Sequence, residues 1–227
     1  MHQPLDFAAP LAYARDFLAG AATTLGLSLA ATVFGFLLGV GCAVLRTGRT
    51  PAAARAVACY VEAIRNTPLL VQLFIIYFGL ASLGLKLGAF AAATVALVVN
   101  VGAYTSEIVR AGIESVPKGQ WEGAECLALS RRQVLVHVVL PPAIERVYPA
   151  LTSQYVLLML ASSITSQISA EELTAVASRV QSETFRSVET YLLVAAAYLL
   201  LSLLMRGLFW CAGQLAFPRR RRLGTPL

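Results

Sequence analysis

The stretch from Phe17 to Leu45 reads FLAGAATTLGLSLAATVFGFLLGVGCAVL. It carries no charge and is rich in Gly, Ala, Ser and Thr. A helix needs about 20 mainly apolar residues to cross a hydrocarbon layer roughly 30 Å thick. Residues 17–45 meet that requirement. Outward along the chain, four more stretches qualify: 57–82, 89–112, 149–168 and 191–211. The whole chain of 227 residues is 58% apolar and 13% charged, with a mean hydropathy of +0.71. Soluble domains are roughly 25% charged, and one soluble core of this length cannot hide so much apolar surface. These values exclude a disordered chain, a disulfide scaffold and an ordinary cytosolic enzyme. The expected fold class is all-α: a polytopic membrane protein with about five transmembrane helices, residues 1–227 forming one transmembrane domain.

The basic residues between the spans set an orientation. Arg46, Arg49 and Arg55 follow the first span; Arg110, Lys118, Arg131, Arg132 and Arg146 follow the third; Arg206 and Arg219–Arg222 follow the fifth. These thirteen lie on one side, against Arg15, Lys86, Arg179 and Arg186, four, on the other. The positive-inside rule places the N-terminus outside and the C-terminus in the cytoplasm. Cys42, Cys59, Cys126 and Cys211 all fall on the basic side, where a reducing compartment keeps thiols free. No cysteine pair has metal-ligand spacing, and the first twenty residues lack the basic n-region of a cleaved signal peptide. Gly35 and Gly39 form a G-x-x-x-G, which suits either packing within the chain or a contact between copies.

The loop from 113 to 148 reads IESVPKGQWEGAECLALSRRQVLVHVVLPPAIERVY. Pro117 and Gly119 break the preceding helix. Helix formers follow from Gln120 to Leu129, with Trp121, Ala124, Leu127 and Ala128 on one side. Ser130 is placed to cap a second helix that the prolines at 141 and 142 are expected to stop. An amphipathic helix lying on the headgroups would explain the apolar side, but not a helix, a break, a second helix and a proline stop within one loop.

Glu122, Gly123, Ala124, then Ser130, then Leu140-Pro141 resemble the EAA loop of ABC-importer permeases. Gly123 stands where that motif has its first Ala, and Ala128 stands where it has a Gly; both changes keep the residue small. Arg65-Asn66-Thr67-Pro68-Leu69-Leu70-Val71-Gln72-Leu73, Tyr77-Phe78-Gly79-Leu80, Ala103-Tyr104-Thr105-Ser106-Glu107-Ile108 and Ser115-Val116-Pro117-Lys118-Gly119-Gln120-Trp121-Glu122 are similar to blocks of the polar amino acid subfamily. The resemblance covers roughly residues 17 to 212. It implies a type I ABC importer permease of MetI-like fold in a bacterial cytoplasmic (inner) membrane, multi-pass, working by alternating access. It also implies a coupling loop over 113–148, in which Gly119, Trp121, Glu122, Gly123, Ala124, Ala128, Ser130, Leu140 and Pro141 meet a separate ATP-binding subunit. The chain has no G-x-x-x-x-G-K-[ST] run to cradle a phosphate. No cofactor is therefore expected in this chain, ATP and Mg residing on the partner ATPase, and the chain is not expected to be an enzyme by itself. The other implied partners are a second permease copy or paralogue, an extracytoplasmic amino-acid-binding protein and membrane lipid; nucleic acid is not expected.

Polar groups inside a membrane are costly and usually face a bundle interior or a cavity. Asn100, Tyr104 and Glu107 recur at i, i+4 and i+7 on one face of the third span, and Arg65 lies at the cytoplasmic end of the second. Arg65 and Glu107 suit a structural ion pair between spans. Asn100 and Tyr104 suit a substrate path or interhelical packing equally well. Met159, Ser162, Ser163, Ser166 and Gln167 share one side of the fourth span at a 3.6-residue period. Ser162, Ser163, Ser166 and Gln167 are the expected path-lining groups there. Relatives often carry Lys-Asp-Thr-Ser at this point; aligned on Glu172-Leu173, those positions are Leu160, Ala161, Ser162 and Ser163, so the ionisable pair is missing. The outer segment 171–190 has Leu173, Val176, Ala177 and Val180 at amphipathic-helix spacing. Two other classes compete with an amino acid permease. One is an ABC permease for another small solute. The other is a channel-type subunit, which would need no coupling loop. A membrane enzyme lacks a convergent catalytic set, since His2 and His137 both lie outside the spans.

Overall fold

The computed structural model describes residues 5–48 and 50–217. Arg49 and Arg219–Arg222, part of the charge balance, lie outside the described residues, as does His2. The described residues form nine helical elements and no strand: α1 (Ala8–Leu11), α2 (Ala14–Thr47), α3 (Pro51–Arg65), α4 (Leu69–Ser82), α5 (Ala89–Glu114), α6 (Lys118–Cys126), α7 (Arg131–Ile168), α8 (Leu173–Thr184) and α9 (Ser187–Ala216). Four helices, α2, α5, α7 and α9, are long and apolar enough to cross a membrane, and the bent pair α3–α4 makes a fifth if counted as one span.

The core is the parallel pairing of α2 with α5, and glycine makes it possible. A Cβ on Gly39 would sit 2.5 Å from the Thr105 side chain and 2.9 Å from the Gly102 carbonyl oxygen, and one on Gly35 would run into Val101. The G-x-x-x-G therefore serves close packing within the chain. α7 crosses α5 at Gly112, where a Cβ would meet the Ala143 carbonyl at 2.9 Å. Leu27, Leu97, Val101, Val109 and Leu151 fill the space between these helices. The outer face of α9, including Leu199, Leu200, Leu203 and Leu204, is exposed.

Two expectations are corrected. The second span, expected as one stretch over 57–82, is broken at Asn66–Pro68, where α3 and α4 meet at 110°. Pro68 has no N–H to continue the ladder and holds its neighbour out of the helical region. The freed carbonyls of Ile64 and Thr67 are satisfied by the Gln72 amide, whose Nε2 donates at 2.8 and 3.0 Å. Such a break is tolerated inside a membrane protein only where the backbone finds partners in this way. The fourth span, expected over 149–168, belongs to a helical run that starts at Arg131. The two prolines do not stop it. Val134–Val139 forms wider π-type turns just ahead of them, and Pro141 and Pro142 then occupy the first turn of the resumed α-helix, where a missing N–H costs little.

Candidate functional site

The loop between α5 and α7 folds into a small rigid platform. α6 begins after Pro117 and ends at Cys126, so Leu127 leaves the helix and its side chain is 76% exposed, against the expectation that it joins the apolar side. The stop is a Schellman arrangement: the Ala128 N–H donates to Glu125 O (2.9 Å) and the Leu129 N–H to Ala124 O (3.3 Å). Ala128 takes a left-handed backbone, φ 56°, in the position that favours glycine. α7 then opens with a capping box. The Ser130 hydroxyl accepts from the Gln133 N–H (3.4 Å), and the Gln133 side-chain oxygen accepts from the Ser130 N–H (2.8 Å).

Buried Ala124 and half-buried Trp121 hold α6 against Val134 and Val139 of α7. Arg146 of α7 donates to the Ser115 carbonyl oxygen and hydroxyl at 2.5 and 2.8 Å, fastening the end of α5. The opposite side of α6 is free: Gly119, Glu122, Gly123 and Glu125 are exposed, and a Cβ on Gly119 or Gly123 would meet nothing within 4 Å. Half-buried Leu140 packs against the core. Pro141 lines a groove with Gln120 and His137, so the fold brings the two ends of the loop motif together although about twenty residues of chain separate them.

Above the platform, Glu107 of α5 gathers arginines from three helices. It pairs with Arg46 of α2, with Arg110 of its own helix at 2.8 Å, and with Arg65 of α3 at 3.9 Å. The expected Arg65–Glu107 pair exists and is the loosest of the three. Arg46, at the end of the first span, was not expected as a partner, because its reach across the α2–α5 contact depends on the glycine packing. The Arg65 guanidinium also lies over the Tyr104 ring, 5.5 Å from its centroid.

Asn100 is buried and donates through Nδ2 to Gln72 Oε1 at 2.9 Å. One amide pair thus ties α5 to the α3–α4 break. Gln72, the only amide within the apolar run 69–80, was the available signal for this tie. On the fourth span the polar groups do not share a single side, because Ser162–Ile168 winds as a 3₁₀ helix with three residues per turn. Ser162 and Thr165 are buried and donate to the carbonyls of Met159 and Ser162, both at 2.7 Å. Ser163 and Ser166 are half-buried and Gln167 is exposed. Ser166, Gln167, Ser169, Glu171 and Arg179 line an open cleft of about 510 Å³ where α7 meets α8.

The outer segment is the amphipathic helix α8, with Leu173, Val176, Ala177 and Val180 all buried. Its cap is Glu172, a fully buried carboxylate that sequence reading passed over. Its oxygens accept from the Ala175 N–H (2.9 Å), Tyr198 Oη (2.7 Å) and Thr24 Oγ1 (3.4 Å), linking α8 to α9 and α2. Burial pushes the Glu172 carboxyl above its ordinary value, and the hydrogen bonds it accepts only partly offset this.

A bundle of apolar helices with one broken span, and a short helix offering a polar side beyond the bundle, define a polytopic membrane protein. The chain belongs to the family described as binding-protein-dependent transport system inner membrane component, which it matches over residues 18–209; it is an ABC transporter permease. It is 40% identical over 180 residues to a probable glutamine ABC transporter permease protein of Bacillus subtilis (strain 168), covering 79% of this chain and 83% of that one. It is 33% identical over 213 residues to an octopine transport system permease protein of Rhizobium radiobacter, covering 90% and 87%. Among solved structures, an amino acid ABC transporter crystallised with histidines superposes with a TM-score of 0.84 at 35% identity, over 93% of this chain and 99% of that one. An inward-facing MetNI methionine ABC transporter shares the fold, with a TM-score of 0.77 at 20% identity, over 95% and 99%.

Proposed function

We propose that this chain is the membrane subunit of an ATP-driven, binding-protein-dependent importer of polar amino acids. Two permeases, copies or paralogues, sit on two ATP-binding subunits that hold ATP and Mg, and an extracytoplasmic binding protein delivers the substrate. The chain runs N-out and C-in across a bacterial cytoplasmic membrane. The observation that carries this reading is α6: nine residues closed at the C-terminal end by the Ala128 and Leu129 amides and held underneath by Ala124 and Trp121, with Glu122 on the free side. A helix clamped in this way moves as a body and can transmit a push from an ATPase to α5 and α7, the alternating states differing in which polar groups face each side. Glu122→Lys in the assembled transporter should abolish amino acid uptake while ATP hydrolysis and membrane assembly persist. Unchanged uptake would remove α6 from the mechanism.

The printed names of the relatives support amino acids as the substrate class. Asn100, Tyr104, Ser162, Ser163, Ser166 and Gln167 are the proposed path residues. Leu160 and Ala161 supply no charge at the point where the resemblance to the polar amino acid subfamily implies an ionisable pair. The Glu107 carboxylate is engaged by arginines. Neither arrangement offers a carboxylate to a cationic side chain, and burying an unpaired charge costs several kcal/mol. A homodimer of this chain is therefore assigned a neutral or acidic polar amino acid such as glutamine or glutamate. Ser163→Leu and Gln167→Leu should each block uptake and spare basal ATP hydrolysis; normal uptake in both would show that these side chains stand off the path.

A further inference from the structure

The groove between α7 and α9 points to a site unrelated to the transported solute. It has a volume of about 340 Å³ and is lined by Tyr148, Thr152, Ser153, Val156, Arg206 and Trp210, among others. Tyr148 Oη donates to the Phe209 carbonyl at 2.5 Å and holds its floor together. Arg206 is exposed and forms no ion pair among the described residues; every other arginine–carboxylate pair lies elsewhere. No carboxylate lines the groove among the described residues. The Arg206 guanidinium, the Ser153 hydroxyl and the Trp210 indole N–H are hydrogen-bond donors left over by the fold.

Depth along α9 narrows the occupant. Arg206 lies nineteen residues after Ser187, which at 1.5 Å per residue is about 29 Å along the helix. That is close to the full hydrocarbon thickness of roughly 30 Å. The guanidinium thus reaches the interface at the opposite side from the start of α9, with Trp210 and Tyr148 at a level where amphipathic aromatics gather. Val156 offers an apolar wall deeper in the groove, and the exposed leucines of α9 continue it. A cation and neutral donors at headgroup depth above an apolar wall match a phosphodiester joined to acyl chains.

We propose that this groove binds an anionic phospholipid, its phosphate on Arg206 and Ser153 and an acyl chain along Val156. Assignment to the cytoplasmic leaflet rests on the orientation proposed above; binding itself does not. The full-length chain, stripped of lipid in detergent, is titrated with phosphatidylglycerol, phosphatidylcholine or inorganic phosphate and read by native mass spectrometry. Phosphatidylglycerol should be retained in preference to phosphatidylcholine, and inorganic phosphate should not displace it. Arg206→Gln should weaken retention by about five- to tenfold, Ser153→Ala should weaken it less, and Arg206→Lys should keep most of it, which separates lost charge from lost folding. Equal retention by the wild type and Arg206→Gln would overturn the proposal. Displacement by inorganic phosphate would make this a free-anion site and overturn it too. A disulfide between two copies carrying Ser153→Cys would show the groove covered by protein and would likewise overturn it.

Discussion

Ala128 sits where α6 ends and takes φ 56°, a conformation that costs a residue with a Cβ about 1–2 kcal/mol relative to glycine. Ala128→Gly should release that strain. Glycine also gives the unfolded loop more freedom, which takes back about 0.4–1 kcal/mol. The net gain is about 0.5–1 kcal/mol, expressed locally because the loop opens without unfolding the bundle. The amides of Ala128 and Leu129 close the helix end onto Glu125 O and Ala124 O, so they report the opening directly. Hydrogen exchange on the full-length protein should show these amides about two- to fivefold better protected in the variant. Gly123 supplies the converse. It is exposed within α6, and a Cβ there would meet nothing within 4 Å. Gly123→Ala should gain about 1 kcal/mol of helix propensity and protect the same amides by about fivefold. Ala128→Val, with a branched Cβ in the left-handed region, should move protection the other way. Unchanged or weaker protection in Ala128→Gly would show that the helix end is not strained and that the two small-residue exchanges in the loop motif are neutral.

Further outcomes follow from the charges and the packing. Glu107→Gln leaves partly buried Arg46 without its counter-charge, while Arg110 keeps Glu114 at 2.5 Å; thermal unfolding in detergent should show a loss of about 2 kcal/mol, whereas Arg65→Gln, at the loosest contact, should change little. Glu172 has its folded-state acidity weakened by burial, so the unfolded chain gives up this proton first: its stabilising contribution is full below the ordinary value of 4.5 and is lost as pH rises through the higher folded value. The difference in stability between wild type and Glu172→Gln should therefore shift against the wild type as pH rises above 4.5, and a difference that is flat with pH would contradict the burial. Gly39→Leu should separate α2 from α5, cost at least about 1–3 kcal/mol and loosen the Arg46–Glu107 contact; full-length protein with unchanged stability would refute the packing. Single cysteines at Ser82 or Gly84 should label from outside, and one at Thr47 from the cytoplasm.

The sequence by itself determined the class of this molecule. Lipid demands about 20 apolar residues per crossing, and that demand is written directly in 17–45, 89–112 and 191–211. The Ser130 cap and the amphipathic side of α8 were also legible, because caps and helical periodicity are local. What tertiary structure decided was how irregular segments resolve. Pro68 breaks a span while Pro141 and Pro142 do not, because the Gln72 amide rescues carbonyls at the first site and π-type turns precede the second. The one-sided polar stripe expected over Met159–Gln167 was split by 3₁₀ winding. Arg46 reaches Glu107 ahead of Arg65 only because Gly35 and Gly39 bring α2 against α5. The Glu172 cap draws Thr24 and Tyr198 from 148 and 26 residues away. Each of these depends on a partner supplied by another helix, and a spacing rule reads only the helix it is applied to.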